Sequence, residues 1–242
     1  MGRAASLLSR PRAVAFVAIA AGLVAYFYSA DSIPRLSLWW EVVILAAGLL
    51  PAVFLLVWLM LPLATARGLW LPALMLAVVA VLAEIGDLEV LANFAKLGAA
   101  TFFAFWFLNF FEELFLIVTV AVIVPWVDAY SVFRGPTGNI VEHHSEIFTY
   151  FSFEFTLPHE RDDPRLGIPD LLFFALFLAA ARRFSLRTGW TWLGMVSALG
   201  ATIALAAWTI GGLPALPALS LGFLLPNADL IWARLRPRPS AA

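Results

Sequence analysis

An all-α membrane protein, a polytopic bundle of about eight or nine transmembrane helices, is the fold class this sequence predicts. Three observations predict it. Of the 242 residues, 63% are hydrophobic and only 13% are charged, whereas a soluble domain is near half apolar and about a quarter charged. The mean hydropathy is +0.93. Apolar runs of the length that crosses a bilayer, about 20 residues, recur from one end of the chain to the other.

The first run, 13–30, follows Arg3, Arg10 and Arg12 and has the outline of a secretory signal. Tyr28 stands where cleavage after Ala30 would need a small residue, so the run reads as a retained first helix. The second, 38–63, opens on Trp39 and Trp40, a pair suited to the membrane interface. Runs at 68–86, 91–111 and 113–133 follow with short connections. A polar and aromatic stretch, 134–166, separates them from the last three, 168–184, 188–210 and 213–233. No internal repeat or low-complexity linker appears. Residues 1–242 therefore read as a single membrane domain, with N-terminal helices in 1–112 and a second half in 113–235.

Arginine distribution orients such a bundle, because cytoplasmic loops collect positive charge. Arg3, Arg10 and Arg12, then Arg182, Arg183 and Arg187, then Arg234, Arg236 and Arg238 fall on one side of an eight-span chain. That side is expected to be the cytoplasm, with both termini in it and the 134–166 loop outside. Lys96 is the lone lysine among fifteen basic residues, a bias that points to a GC-rich prokaryote and hence to its plasma membrane. Cysteine is absent, which excludes disulfides, thiolate metal sites and a cysteine nucleophile. A formal charge of −1 and the lack of a basic, aromatic-laced run give no nucleic-acid surface.

Ionisable groups at membrane depth are costly, so a deep one points to function. Glu41, Glu84, Glu112, Glu113 and Asp229 sit beside tryptophans, helix junctions or the arginine tail, and are expected at the interface. Asp128 and Asp170 are different. Asp128 lies late in "VAVIVPWVDAYSVF", and Asp170 opens "LGIPDLLFFALF" directly behind a proline. Two adjacent antiparallel helices would bring the end of one near the start of the next, putting both aspartates close to one membrane face. Facing carboxylates in a low-dielectric site cannot both ionise cheaply, so the pair holds one proton and titrates in two coupled steps. Such a pair offers an acid and a base together. From spacing alone, aspartyl hydrolysis, a proton relay and an ion site all fit.

The flanking residues narrow the choice. "VDAYSVFRGPTGNIVE" (127–142), "LGIPDLLFFALFLAAA" (166–181) and "LPALPALSLGFLL" (213–225) resemble, in order, the three motifs of the presenilin and signal peptide peptidase family of intramembrane aspartyl proteases. The resemblance covers about residues 105–235. It implies a presenilin-like bundle with Asp128 and Asp170 as the catalytic pair. It also implies substrate binding by Gly167 and by Pro214, Ala215 and Leu216, with no metal and no cofactor. A second Pro-Ala-Leu, 217–219, follows the first directly; the leucine before and the proline after favour the first copy. The expected partners are transmembrane or signal-peptide substrates and the lipid bilayer. Two positions depart from the family pattern: Val127 replaces a tyrosine, and Pro169 replaces the glycine before the second aspartate. Proline is tolerated in a helix's first turn but removes an N–H. The alternative is therefore a catalytically impaired relative acting as a scaffold or as an ion or proton pathway.

Prolines keep the residues before them out of the helix, so "GGLPALP" reads as extended backbone at the bilayer edge. An unwound substrate could pair with it as an added strand. The loop 147–158 alternates in the manner of a strand, with Thr149, Phe151, Phe153 and Phe155 on one face and Phe148, Tyr150, Ser152 and Glu154 on the other. Glu142, His143, His144, Glu146, His159 and Glu160 lack a metal-ligand spacing and read as solvated polar turns. Gly194 with Ala198, and Gly200 with Ala204, read as small-residue stripes for close helix packing.

Overall fold

Eight helical segments and one short hairpin make up the described part of the chain. The computed structural model describes residues 9–134, 150–158, 164–208 and 213–236. In order the segments are α1 (Arg10–Ser29), α2 (Leu38–Thr65), α3 (Trp70–Ile85), α4 (Glu89–Phe110), α5 (Leu114–Arg134), β1 (Ser152–Glu154), β2 (Arg165–Gly167), α6 (Ile168–Arg183), α7 (Thr188–Ala206) and α8 (Leu216–Leu235). Six of them (α1, α2, α4, α5, α7 and α8) are long and apolar enough to cross a bilayer. The protein is an all-α, polytopic membrane protein. The other two, α3 and α6, have 16 residues each; at a rise of about 1.5 Å per residue they fall short of a hydrocarbon core about 30 Å thick.

The sequence explains the irregular helices. Within α2 the turn Ile44–Leu49 is π-helical, directly ahead of Pro51, whose ring would crowd a regular preceding turn. A 3-10 turn over Leu61–Thr65 closes the same helix around Pro62. Pro125 sits inside α5 and leaves one backbone carbonyl of the preceding turn without its helical donor.

Helix α6 is the axis of the bundle. Leu171 and every residue from Phe174 to Ala181 are buried, so it is apolar all round, as a helix enclosed by others must be. Phe174 stacks on Phe54 of α2 with ring centroids 3.8 Å apart, and Phe177 stacks on Phe223 of α8 at 5.0 Å. One contiguous apolar core runs from Leu23 in α1 to Ile231 in α8.

Glycine sets the closest approach, between α7 and α8. A Cβ on Gly222 would lie 2.5 Å from the Met195 nitrogen and Cα, and one on Gly194 would lie 2.6 Å from the Gly222 carbonyl oxygen. Gly194 and Gly200 thus permit close packing as expected, Gly200 against the Ala46 carbonyl of α2. Their partners are on other helices, and Gly222 had no signal in the small-residue spacing.

Beyond the far end of α6, Asn227 ties the α6–α7 turn to α8. It accepts the Arg187 N–H at 2.9 Å and donates to the Thr191 hydroxyl and the Phe223 carbonyl, both at 2.7 Å. Arg187 also forms a two-pronged ion pair with exposed Asp229, at 2.6 and 2.7 Å.

Two of the acids expected at the interface are not exposed there. Glu41 is buried at 6% exposure although Trp39 and Trp40 beside it are open. Glu84 is 14% exposed and pairs with buried Lys96 at 2.8 Å. A carboxylate that turns inward to a partner escapes the cost of an unpaired charge in the membrane. Glu112, Glu113 and Asp229 are exposed.

Candidate active site

Helix α5 presents one narrow stripe to its neighbours. Leu114, Ile117 and Ala121 are buried, and Val124 and Asp128 continue the same three-and-four spacing as half-buried positions. Asp128 therefore lies on the bundle side of α5, whereas Trp126, Val127 and Tyr130 are 61–76% exposed on the outside. Tyr130 thus faces away from the side of α5 that carries Asp128.

The Asp128 partner is backbone. Its Oδ2 accepts the Leu216 N–H at 3.0 Å. That amide is free because Leu216 is the first residue of α8 and has no helical acceptor. The partial positive charge of a helix N-terminus favours the carboxylate there. Pro217 already lies inside the helix, which makes 214–216, and not the second copy at 217–219, the segment that meets Asp128. Gly211 and Gly212, expected to extend it, lie outside the described residues.

Asp170 is held from the other side. Gly167 is the extended N-cap of α6 (φ −60°, ψ 146°), Pro169 occupies the first turn, and Asp170 at the third position reaches back to the Gly167 N–H at 3.2 Å. Pro169 is exposed and its missing N–H falls among the first-turn amides that a helix leaves unbonded anyway. A Cβ on Gly167 would stand 3.2 Å from the Asp170 Oδ2, so the glycine admits the carboxylate by its lack of a side chain, its dihedrals being open to any residue.

The hairpin delivers α6 to this position. β1 and β2 pair antiparallel, Ser152 opposite Gly167, Phe153 opposite Leu166 and Glu154 opposite Arg165. Further bonds run from Ile168 N–H to the Phe151 carbonyl and from Phe155 N–H to the Pro164 carbonyl, both at 2.9 Å. The expected alternation is kept in part. Phe153 and Phe155 are buried, but Phe151 is 63% exposed in the turn before the strand. Thr149 and Phe148 lie outside the described residues, as do Gly135, Pro136 and the whole His143, His144 and His159 set with Glu142, Glu146 and Glu160. Among the described residues no group of acidic or imidazole side chains could hold a metal.

Asp128 and Asp170 thus come from different helices to one end of the bundle, where α5, α6 and α8 pack together. Each also serves as the acceptor for a helix's free amide, which alone would be a structural role. What goes beyond that role is that the two carboxyl groups fall at the same end of the bundle, on helices packed against each other. Capping needs no such convergence. Among the described residues, no hydrogen bond covers the Asp170 side of β2 apart from that of the Gly167 N–H. Antiparallel alternation turns the Arg165 N–H and carbonyl and the Gly167 carbonyl away from β1, on the side where the Gly167 N–H meets Asp170.

A second polar cluster escaped the motif reading. Lys96 and Asn93 of α4, each 6% exposed, contact β1 and neighbour Glu84 and Arg165 around a cavity of about 310 Å³. The signal was present: Lys96 is an ionisable residue within an apolar run, the condition that singles out deep acids. No family model, no curated protein and no solved structure matches the chain.

Proposed function

We propose that the protein is an intramembrane aspartyl endopeptidase of the presenilin and signal peptide peptidase kind. Its substrates would be transmembrane segments or remnant signal peptides. The observation that carries this reading is that two aspartates from separate helices come to the same end of the bundle, Asp128 on the Leu216 amide where a Pro-Ala-Leu segment begins the last helix and Asp170 at the start of α6. Asp128 and Asp170 share one proton; the ionised partner takes a proton from water while the protonated one polarises the scissile carbonyl. No cofactor enters the chemistry. Leu216 orients Asp128 through its amide. The rest of the Pro214–Leu216 segment, with Gly167 and the edge of β2, holds the unwound substrate by strand addition. On this reading all eight helices span the membrane, α3 and α6 with the bilayer thinned around them. The N- and C-termini lie in the cytoplasm of a prokaryotic cell, as the arginine distribution implies.

The test is purified protein in lipid discs with a model transmembrane peptide. Cleavage is expected, and Asp128→Ala and Asp170→Ala each abolish it. Cutting that survives either substitution overturns the mechanism. One observation favours a second reading: Pro169 removes the glycine freedom and the amide next to Asp170. If the wild type leaves the peptide intact and Pro169→Gly cuts it, the protein is an impaired relative that serves as a scaffold or as an ion or proton pathway.

A further inference from the structure

The two edges of the β1–β2 hairpin are treated differently, and helix α4 is the cause. An exposed strand edge invites pairing by any extended chain. On the outer edge of β1, Asn93 donates to the Glu154 carbonyl and accepts the Glu154 N–H, both at 3.1 Å, so its carboxamide occupies the place of a third strand. Three residues along the same helix face, Lys96 donates to the Ser152 carbonyl at 3.1 Å. Lys96 is in turn fixed from α3 by Glu84, 2.8 Å away. The edge of β2 has no such cover among the described hydrogen bonds.

The same contacts lead to the aspartate. Lys96 holds Ser152; Ser152 lies directly opposite Gly167 in the ladder; the Gly167 N–H bonds Asp170. A strand that slips by one residue exchanges its two faces. Holding β1 at two points therefore holds the register of β2 and the place of Asp170.

We infer that Asn93 and Lys96 are positioning residues for the peptide hydrolysis proposed above, on which this inference rests. They close the β1 edge, leave the β2 edge as the one a substrate strand can join, and set the register in which that strand meets the aspartates. A fixed register means one preferred scissile bond.

The experiment compares the wild type with Asn93→Ala and with Glu84→Gln/Lys96→Met, which removes the lysine without leaving its carboxylate partner charged. Each is incubated with a transmembrane peptide, and the cut bonds are located by mass spectrometry. The wild type is expected to cut mainly at one bond. Both variants are expected to spread the cuts over neighbouring bonds and to lower kcat at least fivefold, while Lys96→Arg keeps the original bond. An unchanged cut position in both variants overturns the inference, whether or not the rate falls, because lost stability alone reduces the amount of enzyme without moving the bond. If the wild type cuts nothing, the hydrolysis reading fails by itself. Amide exchange of Phe153 and Leu166 then decides the clamp: at least tenfold faster exchange in both variants supports it, and unchanged protection overturns it.

Discussion

Replacing Gly167 by alanine separates a structural from a catalytic role at the second aspartate. The backbone there, φ −60° and ψ 146°, is open to alanine. The substitution should thus gain about 0.4–1 kcal/mol of stability by stiffening the unfolded chain. The new Cβ, however, would sit 3.2 Å from the Asp170 Oδ2 and 3.4 Å from the Pro169 Cδ. The proline ring is rigid, so the carboxylate must give way by about 0.3 Å to reach an ordinary contact distance. Its bond from the Gly167 N–H is already 3.2 Å long and would lengthen past the useful range. A hydrogen bond to a charged group contributes about 1.5–3 kcal/mol. Losing roughly half of that in the transition state lowers kcat about tenfold, at about 1.4 kcal/mol per decade. The assay is peptide cleavage in lipid discs beside a thermal unfolding curve in the same discs. Because the same bond also holds the resting fold, its loss offsets the gain, and the expected result is an unchanged or slightly lower Tm with about a tenfold lower kcat. Full activity in Gly167→Ala would refute the placement of Asp170 in the chemistry. A fall in Tm that matches the fall in rate would show the glycine to be structural.

Two stability predictions follow from the packing of α7 and α8. Gly222→Ala drives a methyl to 2.5 Å from the Met195 backbone, and helix backbones cannot swing aside as a side chain can. A net loss of about 1–3 kcal/mol is expected in spite of alanine's better helix propensity. Gly22→Ala, where nothing lies within 4 Å, should instead raise Tm, and equal effects from the two would contradict the close approach. Asn227→Ala removes the acceptor of the Arg187 N–H and the donor to Thr191. It should cost about 2 kcal/mol for the buried groups left unpaired, read as a lower Tm. A loss of peptide cleavage larger than the loss of folded protein would show that this far end of the bundle reaches the aspartates.

The helices were legible because their signal is local. A run of about 20 apolar residues between polar turns needs no knowledge of its neighbours, and each expected run from 13–30 to 213–233 has a helix within it. The aspartates were legible for the same reason, as charges in oil. Direction was not. Glu41 reads as interfacial beside Trp39 and Trp40 yet turns inward, because the face a helix presents depends on what packs against it. Nothing in the spacing of Glu84 and Lys96 announces a pair, since they sit on two helices whose approach is set by side chains such as Leu76, which fills the space beside Gly98.

By itself, the sequence determined the apolar all-α class, the order of the helices and which ionisable residues lie within apolar runs, because hydropathy and charge belong to each residue wherever the chain goes. Only the tertiary structure decided that Asp128 would meet the amide of Leu216 and that α4 would close one edge of the hairpin. Those pairings join residues dozens of positions apart. Their partners are backbone groups that every residue carries, so no side-chain pattern could have named them.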